Sequence, residues 1–155
     1  MQDKSLPQLD DLYKEIILEH YRNPCGRVPL KRVDYKAEGM NPLCGDEVKL
    51  GLQIKNGKIE RVYLEAHGCS ISVASSSMLA QILEGKTLEE AKKISNHLKD
   101  MMHNKIKEKN GNKIDLGDLE SLEGVRKFPV RIKCALLPWT TLEEALVGHE
   151  HVEIS

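Results

Sequence analysis

The period of the apolar positions changes several times along this chain, and each change marks an element. Residues 8–21, QLDDLYKEIILEHY, put Leu12, Ile16 and Leu18 on one broad apolar face. Asp10 and Asp11 stand where a helix N-terminus favours negative charge, and Asn23-Pro24 follows, so this stretch predicts an opening helix. The period then falls to two: Val48, Leu50, Leu52 and Ile54 alternate with polar residues or Gly, Asn56-Gly57 offers a tight turn, and Ile59 to Ala66 runs back. That is a β-hairpin, with residues 32–38 as a third strand.

Helical spacing returns in SISVASSSMLAQILEGK, where Met78, Leu79, Ile82 and Leu83 precede Gly85. Thr87 and Glu90 form a capping box for a second long helix, expected to run to about Lys107. KNGNKIDLGDLESLEGVRKFP reads as a polar surface connection holding one helical turn. VRIKCALLPWTTLEEALVGHE carries Cys134 in an apolar segment broken by Pro138, then a short helix capped at Thr141 to Glu144, with a frayed end after it. The expected fold is α+β, a small antiparallel three-stranded sheet packed against several helices.

Composition narrows the function classes. A chain of 155 residues fits one domain, taken as 1–155. With 23 basic residues against 24 acidic ones, no charge excess draws the whole protein to nucleic acid or to a membrane surface. The first residues lack the basic-then-apolar pattern of an export signal, and no apolar run is long enough to span a bilayer. A cytoplasmic location is expected, where Cys25, Cys44, Cys69 and Cys134 are read as metal-binding, reactive or packed thiols before structural disulfides.

Cys44 lies in NPLCGDEV, one residue from Asp46, with Gly45 freeing the backbone between them. A thiolate and a carboxylate so placed can bind one cation, and Zn²⁺ accepts both sulfur and oxygen, although a turn Asp bonded to its own backbone beside an inert Cys gives the same letters. Cys69 follows Gly68 at a strand-to-helix junction, where backbone N–H groups and the helix dipole favour a thiolate. Cys134 can complete a set of three thiolates with Asp46 as fourth ligand, and Arg131 and Lys133 offset the negative charge. One oxygen among sulfurs should exchange more readily than a fourth Cys.

Other side chains read as structural. Ser75, Ser76 and Ser77 read as small residues for close helix packing, Trp139 as core and His67 as packed or exposed. His97 and His103 are wrongly spaced for a shared helical metal site, and His149 and His151 as a solvated tail. NPCGR imitates NPLCGD but has Arg27 where a ligand is needed, which makes Cys25 a bystander. A Cys/His hydrolase finds no Cys–His–Asn/Asp constellation to use.

NPLCGD, GCSISVASSSM and RIKCALLPW, in that order, resemble the IscU/SufU iron–sulfur cluster assembly family, also called NifU N-terminal-like. The resemblance runs from EHYRNP to the last capped helix. Lys133, where IscU-type proteins carry His, and the additional segment near 105–125 resemble the SufU branch. It implies Cys44, Asp46, Cys69 and Cys134 as metal ligands, zinc as occupant, and a SufS-type PLP-dependent cysteine desulfurase as partner. In the family mechanism Cys44 would attack the desulfurase persulfide after a desulfurase His takes over a zinc position, with Arg131 helping that exchange. Sulfur would pass on to downstream iron–sulfur scaffold or client proteins. The alternative implied is an IscU-like scaffold on which a transient [2Fe-2S] cluster is held by Cys44, Cys69 and Cys134.

Overall fold

The computed structural model describes residues 10–105 and 114–154. Helix α1, Asp11–Arg22, is capped by Asp10, whose Oδ1 accepts from the Leu12 N–H at 3.0 Å. Its buried residues are Ile17 and His20, while Leu12 is 66% exposed, so the inward stripe is rotated from the expected Leu12/Leu18 face. A polar side chain at position 20 masked that stripe.

Strands β1 (Tyr35–Asn41), β2 (Asp46–Lys55) and β3 (Lys58–His67) form the expected meander, with the third strand displaced toward the Pro42 that ends it. Asn56 and Gly57 both adopt positive φ in the β2–β3 turn, as a two-residue hairpin requires. The sheet is not a three-stranded antiparallel one. A fourth strand, β4 (His151–Glu153), lies parallel to β1 and gives the order β3-β2-β1-β4, so the expected frayed end is instead a strand on the sheet edge.

One sheet face is covered by helices. Val48, Leu50 and Leu52 of β2 and Ile59, Val62 and Leu64 of β3 are buried against α2 (Ser70–Leu83) and α4 (Pro129–Leu146). The small residues of α2 permit this: the helix is buried nearly all round, and Ser75 and Ser77 bond to other elements. Ser75 Oγ donates to the Ala135 carbonyl at 2.6 Å and accepts from Trp139 Nε1 at 3.2 Å, which fixes the fully buried Trp139 in the core. Ser77 Oγ contacts His20 Nδ1 at 2.7 Å and accepts from the Cys25 N–H at 2.8 Å. Helix α3, Leu88–Met102, begins with the expected reciprocal cap between Thr87 and Glu90, both bonds 3.1 Å long. The expected helix residues at 8 and 9 and at 106 and 107, part of the 105–125 segment and Ser155 lie outside the described residues.

Two further expectations fail for physical reasons. Residues Gly117–Lys127 form a 3₁₀ helix and not a polar connection with one turn. Leu116, Leu119, Leu122 and Val125 are buried, and their spacing of three matches the three residues per turn that put them on one face. Pro138 does not break the C-terminal segment, because α4 runs through it to Leu146. Leu137, Trp139 and Leu142 on both sides of the proline are fully buried, and that packing outweighs the missing N–H.

Candidate metal centre

The predicted ligands come from separate elements. Asn41 ends β1, and its carbonyl accepts from the Cys44 N–H at 3.2 Å and the Gly45 N–H at 2.9 Å, closing the turn that lifts Cys44 off the sheet. Gly45, at φ +71, takes the left-handed conformation that such a turn needs. Asp46, first in β2, faces inward and is 0% exposed. Its Oδ1 accepts from the Cys69 N–H at 2.8 Å, and the Cys69 thiol lies 3.7 Å from its Oδ2. Cys69 is the N-cap of α2 and Cys134 is buried in α4.

These placements bring the donors together. Ligand atoms of Cys44, Asp46 and Cys134 all lie within 4.8 Å of one another, the grouping of that kind found among the described residues. Cys69 lies outside that group of three and adjoins it through Asp46, whose Oδ2 is 3.7 Å from its thiol. Tetrahedral Zn²⁺, with metal–sulfur and metal–oxygen distances of about 2.3 and 2.1 Å, separates a sulfur and an oxygen ligand by about 3.6 Å. The Cys69–Asp46 distance already matches this, and Cys44, Asp46 and Cys134, within 4.8 Å of one another, would need to close by about 1 Å, so the donor chemistry fits the ion.

The charges are balanced locally. The Cys69 thiol is more acidic than an ordinary thiol, chiefly because Cys134 hydrogen-bonds to it; burial opposes this, the Ser72 N–H assists, the Asp46 charge opposes and the Ile71 N–H assists. Cys134 is correspondingly a weaker acid, through that same bond, through burial and through the negative charges facing it. Burial works against the charge of Arg131, but a hydrogen bond to Cys134 and the fields of Cys69, Cys134 and Cys44 outweigh it and hold the guanidinium protonated. Arg131 thus lies within the field of these three thiols.

Other candidates lie elsewhere. Cys25 lines a separate cavity with Glu19, His20 and Asp118 and is absent from the donor group. His67 is exposed on the outer sheet face, 3.3 Å from Glu65 Oε1, and His97 is half-buried while His103 is exposed on α3. Two residues that shape the site escaped the sequence reading. Gly68, at φ +131, leaves no room for a Cβ, which would come within 2.2 Å of Asp46 Oδ1. Asn41 is wholly buried beside the turn. Its inward phase with Ala37 and Gly39 was the available signal.

A helix-covered sheet with three thiols and a buried carboxylate brought toward one another from separate elements defines an α+β domain with a candidate thiolate–carboxylate metal centre. The model of the NifU-like N-terminal domain matches residues 12–135, and the chain belongs to that family of iron–sulfur cluster assembly proteins. It is 42% identical over 142 residues to the zinc-dependent sulfurtransferase SufU of Bacillus subtilis, covering 92% of this chain and 94% of that protein. It is 36% identical over 142 residues to the iron–sulfur cluster assembly scaffold protein IscU of Streptococcus pyogenes, covering 92% and 87%. Among solved structures, a scaffold protein for the SUF system from Fervidobacterium islandicum superposes with a TM-score of 0.76 at 35% identity, covering 85% of this chain and 94% of that one. Among the described residues no helix is long and apolar enough to cross a membrane.

Proposed function

We propose that this chain accepts sulfur at Cys44 from the persulfide of a PLP-dependent cysteine desulfurase of the SufS type and relays it to iron–sulfur scaffold or client proteins, with Zn²⁺ held by Cys44, Asp46, Cys69 and Cys134. The observation that carries this reading is the asymmetry of the donor set. Asp46, Cys69 and Cys134 are tied down by one another and by the backbone of α2 and α4, whereas Cys44 rides on a turn whose Gly45 faces open space. When bound, zinc supplies the charge that keeps the thiols deprotonated at neutral pH.

Transfer needs one mobile thiolate and fixed neighbours. The Cys44 thiolate attacks the outer sulfur of the donor persulfide; the sulfur–sulfur bond breaks, the desulfurase cysteine leaves as thiolate, and Cys44 becomes the persulfide. Charge is conserved and no added oxidant is needed. Arg131, fixed in its charged form among the thiols, stabilises whichever sulfur carries the negative charge. Leu43, 67% exposed beside Cys44, with Phe128 and Val130 exposed just before Arg131, give a docking partner apolar surface at the same end.

A second reading is favoured by the thiolate triad itself and by the IscU-type relatives: Cys44, Cys69 and Cys134 would hold a transient [2Fe-2S] cluster. Anaerobic purification followed by zinc and iron analysis, then incubation with the desulfurase and ³⁵S-cysteine, separates the two. Sulfur relay expects about one zinc per chain and label on Cys44. Tight iron–sulfur occupancy with no stimulation of the desulfurase would sink it in favour of the scaffold.

A further inference from the structure

Asn41 has a fully buried side chain whose Oδ1 and Nδ2 both lack a hydrogen-bond partner. A buried amide without partners is costly, so each one in a fold calls for an explanation such as a ligand, an ion or a water that it serves. Asn41 is the cross-strand partner of Asp46, and both side chains are buried on the helix-covered face, where directly opposed residues have Cβ atoms about 5 Å apart. Two residues earlier, Gly39 lies so close to α4 that a Cβ there would meet Thr141 Oγ1 at 2.0 Å and Leu137 at 3.2 Å. The inner face of β1 is thus pressed on the helix that carries Cys134.

A second orphan flanks the same place. Ser72 Oγ is buried without a partner, one turn after Cys69 and one turn before Ser75, which bonds the carbonyl of Ala135 next to Cys134. Unsatisfied polar groups therefore border the donor set from β1 and from α2. Asp46 accepts from the Cys69 N–H with Oδ1 and faces the Cys69 thiol with Oδ2, which leaves its carboxylate with acceptor capacity for a donor from β1.

We propose that Asn41 is a positioning residue for the metal site: its Nδ2–H donates to the Asp46 carboxylate in the loaded state and holds that carboxylate toward the ion. The inference rests on the four-ligand reading above. Ligating carboxylates are held by outer hydrogen bonds of this kind, and removing such a partner costs about tenfold to a hundredfold in metal affinity. With neither amide atom bonded to a protein group, Asn41 has both a donor and an acceptor to spare for this role.

Asn41→Leu, close in volume and without donors, tests this on the full chain. Zinc affinity is measured by competition with a chromogenic chelator, ligand geometry by the absorption bands of the Co²⁺-substituted protein, and folding by thermal unfolding of the metal-free form. The expected result is zinc affinity lower by about tenfold or more, shifted Co²⁺ bands, and a metal-free Tm equal to or above that of the parent. Asn41→Ala gives the same reading if the Leu variant does not fold. Unchanged zinc affinity and unchanged Co²⁺ bands in a folded variant would overturn the proposal, as expected of an amide that merely binds buried water. So would failure of both variants to fold without metal, which would make Asn41 structural. A parent protein that binds no zinc would defeat the four-ligand reading itself, and is told apart because that measurement involves no variant.

Discussion

The turns NPCGR and NPLCGD share Asn-Pro, a half-exposed cysteine and a glycine at positive φ, Gly26 at +80 and Gly45 at +71. They differ in what surrounds them. The first is bolted down: the Cys25 N–H bonds Ser77, the Gly26 carbonyl accepts from the Leu64 N–H at 2.8 Å, and a Cβ on Gly26 would meet Ala80 at 2.7 Å. The second has nothing within 4 Å of a Cβ on Gly45, yet the next residue, Asp46, is wholly buried. One sequence device thus serves both as a packed corner and as an open turn over a buried base. The base decides which.

The widest separation between the two turns should appear in sulfur transfer. Cys44→Ser is expected to abolish ³⁵S labelling of the chain by the desulfurase, while Cys25→Ser stays within about twofold, since Cys44 is the proposed nucleophile and Cys25 lies in a separate cavity. Comparable losses from the two variants would erase the contrast. Asp46→Ala should come next: zinc affinity, read by chelator competition, drops by at least about tenfold, because a ligand and the anchor of the Cys69 N–H are both removed. Retention of full zinc and full transfer would show that the four-ligand assignment is wrong.

Alanine at the two glycines probes packing directly. Gly26→Ala should lower unfolding free energy by about 3 kcal/mol, through overlap with Ala80 and a left-handed backbone. Gly45→Ala has open space and should cost only about 1 kcal/mol. Denaturant titration ranks them, and equal losses would mean that the second turn is packed after all.

The smallest effect concerns pH. The chain between Cys25 and β1 is pinned by Asp34, whose carboxylate accepts from the Ile54 N–H at 2.6 Å and from Arg32 Nε at 3.1 Å, and whose acidity these bonds increase in that order. A lowered folded-state pKa adds stability that is complete above the unfolded value, near 3.9, and is lost as pH falls through the folded one. Asp34→Asn should therefore flatten the acid limb of the stability curve slightly and leave neutral-pH zinc affinity unchanged. An altered affinity would show that the two turns are coupled.

The hairpin, the helix after Cys69 and the cap at Thr87 were legible because period, turn residues and capping are local signals. Strand β4 was not, since three residues pairing with a segment more than a hundred positions earlier leave no local mark. The 3₁₀ helix did leave one, a spacing of three in Leu116, Leu119, Leu122 and Val125, hidden by searching for periods of two and 3.6. The candidate site residues were legible as residue types, and the structure brings Cys44, Asp46 and Cys134 within 4.8 Å of one another with Cys69 beside Asp46. Gly68 and Asn41 were not, because their importance is a close approach and a missing partner, neither of which a letter string records.

Pro138, four positions beyond Cys134, carries no N–H to bond the carbonyl of that cysteine, so the rung of α4 that would brace its backbone lengthwise is absent. Transverse contacts hold this stretch: Ser75 ties Ala135 to α2, and the fully buried Leu137 and Trp139 wedge it into the core. The missing rung thus frees only the Cys134 carbonyl, while the thiol of the same residue stays buried and bonded to the Val130 carbonyl, so the proline loosens the backbone of the ligand without loosening its sulfur.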